Sequence, residues 1–214
     1  MSRKQKFDGG TANELARAAA KEFFEKGFDG TSMRSIADAA GCEAGLIYYY
    51  YRTKDDLFSA VLERFFDPYK ADFEKLTEEA KTKPYRALYR FFAYMKSATR
   101  EFREKYSANI HRTVRWAIRE QTLTVIEPYI ERIIEILMTF GAKPYLAPKP
   151  MAVFLSHGVG SVILHEDADR VDEITDDMRK TVNLLMGLDE ETSRKMFEQA
   201  SPVSLRNATN RLKF

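Results

Sequence analysis

The chain has a single cysteine, Cys42, so no internal disulfide forms and that thiol alone makes no zinc site. Its histidines are His111, His157 and His165. The last two share a helical face, but two turns hold them about 12 Å apart, too far to share one ion. Glu166 and Asp167, which follow His165, do not change that distance. There is no glycine-rich phosphate loop and no nucleophile with a base nearby in sequence. No catalytic residue, metal site or cofactor is therefore assigned, and an enzyme is not expected. No window approaches ~18 uninterrupted apolar residues, so no membrane span is expected. The opening MSRKQKFDGG lacks an apolar signal segment, which points to the cytoplasm. Charge of one sign is missing too: 34 basic and 32 acidic residues leave a net +2, so nothing global demands a nucleic-acid partner. Strand signals are weak, and the one Asp29-Gly30 sits between helical patterns.

What is present is helical periodicity, and the expected fold is all-α. Leu15, Ala18, Ala19 and Phe23 give one face to a helix from about Thr11 to Lys26, with Gly27 placed to stop it. A second helix starts at Thr31 or Ser32, a hydroxyl suited to capping, carries Met33, Ile36, Ala37 and Ala40, and ends at Gly41. A short third runs from about Glu43 to Tyr50. A fourth starts near Thr53 with Leu57, Phe58, Val61, Leu62 and Phe65 on one face. Two short helices joined by a glycine turn make a helix-turn-helix, about 32–51, whose second helix reads the major groove. By spacing alone, an ordinary helical bundle contains such a pair as well.

The residues say more. "GFDGTSMRSIADAAG" followed by "GLIYYYYRTKDDLF", with Ala18-Ala19 and Phe23 before them, closely resembles the amino-terminal domain of the tetracycline-repressor (TetR) family of bacterial transcription regulators. The resemblance covers about residues 11 to 66. It implies a three-helix DNA-binding domain over 8–68, an effector-binding and dimerisation domain over 69–200, and a tail over 201–214. Tyr48 to Tyr51 are consecutive, about 100° apart on a helix, so they cannot all be core. Ile47 and Tyr51, at i and i+4, fit the inward face. Tyr48 and Tyr49 fall at the flanks, and the resemblance gives them, and Lys54, phosphate contacts. Glu43, Ala44 and Leu46 face the groove, where Glu43 either accepts from cytosine or caps its own helix, the latter favoured. Gly45 lets backbone approach DNA. Arg34 is the candidate for a guanine contact, against the plainer account of a surface arginine. Thr31 and Ser32 cap a helix and sit where a phosphate could bind.

Residues 1 to 66 hold ten basic and ten acidic side chains. Non-specific DNA affinity must then come from local placement of charge. Arg3, Lys4 and Lys6 form a short basic arm, for which a solvated tail is the commoner fate. Cys42 reads as a small buried hydrophobe.

Past Pro68 the pattern stays helical and rich in aromatics between 85 and 140. Ile110, Val114 and Ile118 mark one helix, and Pro128 opens or kinks a later one. Tyr89, Phe92, Met95, Trp116 and Phe140 are the candidates for lining a small-molecule pocket, although an aromatic at helical spacing is usually core. Small residues in a helix over 150–166 allow close approach, at a cost in helix propensity. With a helix over 173–187 that includes Ile174, they suggest a homodimer interface. Phe154, Gly158, Ser161, Val162, Met178, Val182 and Leu185 are the candidates, with packing inside one subunit as the plainer account. The resulting expectation is a homodimeric, effector-responsive transcriptional regulator, a repressor on a palindromic duplex operator. The alternative is a helical interaction module without sequence-specific DNA binding.

Overall fold

The computed structural model describes residues 10–106, 110–165 and 178–199. The basic arm, Glu166, Asp167, Ile174, the side chain of His165 and the tail after 200 lie outside the described residues. Among those described, the elements are helical and no strand occurs. Two compact units result: one holds residues up to Pro68 together with Tyr106–Gln121, the other Tyr69–Lys105 and Thr122 onward.

The first unit begins with α1 (Thr11–Lys26), α2 (Met33–Ala40) and α3 (Ala44–Tyr50). α1 ends at Gly27, whose φ of 77° lies in the region that side chains avoid. α2 is only eight residues long and depends on its caps. The amide of Ser35 donates to Ser32 Oγ at 3.0 Å, and the amide of Ser32 donates to Ser35 Oγ at 3.1 Å. That is a capping box with serine at the usual Glu/Gln position. Gly41 closes α2 at φ 66°, while the Cys42 amide reaches back to the Ala37 carbonyl. α4 (Lys54–Ala80) opens on a second reciprocal cap, Thr53 with Asp56, and runs on through Pro68 into the second unit.

Leu15, Ala19, Phe23, Ile36, Ile47, Tyr51 and Leu57 form the buried centre of the first unit. Phe23, Phe28 and Phe58 pack ring on ring around it, with centroids 4.9 to 5.9 Å apart. Tyr106 and residues 110–121 cluster with this unit. The His111 amide donates to the Phe24 carbonyl at 2.6 Å, and Tyr106 meets Phe24 edge-on. A Cβ at Gly27 would lie 2.3 Å from the His111 ring, so only glycine fits that approach.

The second unit contains the rest of α4, α5 (Ala87–Tyr106, less its last residue), most of α6 (Arg112–Thr139), α7 (Pro148–Leu155), α8 (Ser161–His165), the described helical residues 178–185 (α9) and α10 (Glu190–Gln199). Ile110 precedes α6, while Val114 and Ile118 share that one helix with Pro128, which lies inside it rather than opening a new one. The helix expected over 150–166 is interrupted by a π-turn at Ser156–Gly160. There the chain passes so close to Leu123 and Ile126 that a Cβ at Gly160 would sit 3.3 Å from each. Phe73, Phe91, Ile130, Ile134, Met151, Leu155 and Met186 are fully or almost fully buried in this unit's core.

Candidate nucleic-acid interface

Helix α3 is held by its inner edge. Ile47 is fully buried, and the buried Tyr51 hydroxyl donates to the Ala12 carbonyl at 3.2 Å. Burial pushes the Tyr51 phenol above its ordinary pKa, so it remains a neutral donor. With that edge fixed, Tyr48 and Tyr49 point outward, 53% and 67% exposed, and the Tyr49 and Tyr50 rings meet edge-on. Gly45 and Leu46 are also on the open surface, and a Cβ at Gly45 would touch nothing. One short helix thus offers two phenols, a bare backbone patch and an apolar side chain on its solvent side. That combination suits phosphate contacts at the flanks and apolar or close-backbone contacts to base edges between them.

Three expected contacts take a different form. Thr31 is 2% exposed, and its hydroxyl donates to the Gly27 carbonyl at 2.7 Å, with the Glu22 carbonyl at 3.1 Å. It closes the α1–α2 turn and has no reach to a phosphate. The Lys54 ammonium donates to the Phe28 and Thr31 carbonyls at 2.8 and 3.0 Å and lies 4.2 Å over the Phe28 ring. Its charge is committed inside the domain, because those two carbonyls face the start of α4. Glu43 holds the N-cap position of α3, yet its side chain makes no capping bond and stays exposed. Capping is therefore not its role here.

Ser32 is exposed at the start of α2, though its hydroxyl is engaged in the cap. Arg34, two residues on, is exposed and pairs with none of the described residues. Ala44 is half-buried. Beside α3 lies a groove of about 440 Å³ whose walls include Arg17 and Lys21 of α1 and Leu46 of α3, with Ala39, Ala40 and Cys42 between them. Sequence reading missed the two cations. Their i, i+4 spacing shows that they share a face of α1, but not which neighbour that face meets.

The geometry agrees with comparisons to known proteins. Residues 15–61 match the family of bacterial regulatory proteins, tetR family. The amino-terminal segment of this chain is a tetR-family domain. The HTH-type transcriptional repressor KstR2 of Mycolicibacterium smegmatis is 31% identical over 68 residues, covering 32% of this chain and 33% of that protein. The chain thus spans about a third of the length of such curated relatives. The repressor DhaR of Mycobacterium sp. (strain GP1) is 26% identical over 165 residues, 73% of this chain and 82% of DhaR. In fold, the chain resembles reduced NemR of Escherichia coli, with a TM-score of 0.54 at 17% identity over 82% of this chain and 97% of that one. It also resembles FadR of Bacillus subtilis in complex with stearoyl-CoA, with a TM-score of 0.51 at 16% identity over 83% and 99%. These likenesses of fold extend the all-α architecture to most of the chain.

The other candidate residues are scattered. Phe92 and Met95 are buried, and Phe140 packs against the same core, but Tyr89 is 49% exposed. Trp116 is 58% exposed under the Arg112 guanidinium. Among the dimer candidates, Phe154 and Gly158 are exposed, while Ser161, Val162 and Met178 are half-buried. Val182 is buried in its own subunit's core, and Leu185 packs against that core, so neither offers a free face. Among the described residues no group of His, Cys, Asp and Glu is placed to hold a metal ion, and no helix is long and apolar enough to cross a membrane.

Proposed function

We propose that this protein is a DNA-binding transcriptional regulator of the cytoplasm, a repressor that acts as a homodimer on a palindromic operator and is released by a small-molecule effector. The observation that carries the reading is the solvent side of α3. A helix pinned by Ile47 and Tyr51 leaves Tyr48, Tyr49, Gly45 and Leu46 exposed together. A pure interaction bundle gives that set no common purpose, whereas a major-groove reader uses all of it. The repressor names of KstR2 and DhaR support the direction of regulation. The stearoyl-CoA held by FadR supports a small molecule as the signal in this fold. Exposed Phe154 and Gly158 supply an apolar surface for a second copy. An effector acts on DNA binding only through different affinities for the competent and released conformers.

The test is selection of sites from a random duplex library by the purified protein. An enriched inverted repeat, with half-sites one turn, about 34–36 Å, apart or somewhat more, is the expected result. No enrichment at low salt would favour the interaction module.

A further inference from the structure

We infer that Arg17 and Lys21 of α1 form a second line of phosphate contacts beside α3, on the flank opposite Tyr48, and hold the other strand of the operator duplex. The inference rests on the DNA-binding reading above. An α-helix with its side chains is about 10–12 Å across and the major groove about 12 Å wide, so a helix seated in the groove has a phosphate strand against each flank. Leu46 and Tyr48 are two residues apart, about 200° around α3, so the wall beyond Leu46 and the wall beyond Tyr48 lie on opposite sides of the helix. Tyr48 faces one strand. On the Leu46 side the wall is the groove of about 440 Å³, and its cations are Arg17 and Lys21.

Three features suit that groove to a sugar–phosphate backbone. Ala18, Ala39, Ala40 and Cys42 line it with short side chains, so nothing bulky holds a strand away. Arg17 and Lys21 are exposed and pair with none of the described residues, whereas Lys26, further along the same helix, is neutralised by Glu22 at 2.6 Å and Lys54 is committed inside the domain. The two cations are one turn apart, which lets both bear on one strand. Glu14 stands on the same wall and opposes them, so the surplus there is one positive charge. In a domain with equal numbers of basic and acidic side chains, these are the cations that line the groove beside the reading helix on that side.

The experiment compares the full-length wild type with the Arg17→Gln/Lys21→Gln double variant on the duplex selected by the wild type. Affinity is measured over a range of salt, and thermal unfolding confirms that both proteins are folded. The slope of log K against log salt is expected to become shallower by about 1.8 per reading head, about 0.9 for each phosphate no longer neutralised, with the enriched half-site unchanged. Wild-type binding with the same slope in the variant overturns this inference and leaves the DNA-binding reading standing. A wild type that selects no duplex overturns both.

Discussion

At the scale of single residues, the domain's polar atoms divide into those that hold the reading head together and those left for a partner. Lys54 belongs to the first group, with two carbonyls and an aromatic ring around its ammonium. Lys54→Met is therefore expected to lower unfolding stability by about 2 kcal/mol, since hydrogen bonds to charged groups contribute about 1.5–3 kcal/mol. Thermal or urea unfolding measures this, and an unchanged midpoint would return Lys54 to the DNA surface. Tyr51 and Ile47 were legible from spacing, because a buried edge repeats at i and i+4. Thr31 and Lys54 were not. Their partners are backbone carbonyls of a turn whose shape local sequence does not reveal.

At the scale of elements, the short helices depend on their ends. α2 has eight residues and one capping box, so Ser32→Ala should cost about 1 kcal/mol in chemical unfolding. A loss near zero would mean that packing of Ile36 and Ala37 alone holds α2. In the second unit, Asp72 on α4 accepts from the Lys75 ammonium at 2.9 Å and from the Tyr94 hydroxyl of α5 at 2.8 Å. The bond from Lys75 first, then that from Tyr94, holds its carboxyl below the ordinary carboxylate range. A depressed folded pKa adds stability above the unfolded value of about 3.9, and that stability fades as pH falls through the lower folded value. The advantage of the wild type over Asp72→Asn should thus be present at pH 6 and shrink below about pH 4 in unfolding titrations. An advantage that persists undiminished in acid would contradict the assignment. The first three helices, α1 to α3, were readable from periodicity. The continuity of α4 through Pro68 and of α6 through Pro128 was not, because proline inside a helix is tolerated where tertiary packing outweighs its local cost. The π-turn at Ser156–Gly160 was hidden for a related reason, since its glycines report small size but not that Leu123 and Ile126 press against them.

At the scale of the whole molecule, the balanced charge makes placement decisive. Net charge near zero gives little non-specific attraction, so affinity must come from the few free cations and the exposed phenols around α3. The exposure of Ser32, Arg34, Glu43, Gly45, Leu46, Tyr48 and Tyr49 agrees with the outward face that helical spacing gives them, whereas the placement of Arg17 and Lys21 beside α3 was not readable. The expected pocket lining was not readable either, because helical spacing leaves open which neighbours Tyr89 on α5, Trp116 on α6 and Phe140 just past the end of α6 would meet. The central claim is that the solvent side of α3 reads base edges while its tyrosines hold the backbone. The most direct measurement is to repeat the site selection with two variants, Leu46→Gln and Tyr49→Phe. Leu46→Gln should change the preferred base at one symmetric position in each half-site, worth about 1–3 kcal/mol of discrimination, and Tyr49→Phe should weaken binding across all sequences alike. Identical preferences for wild type and Leu46→Gln, or a changed base preference in Tyr49→Phe, would contradict the account.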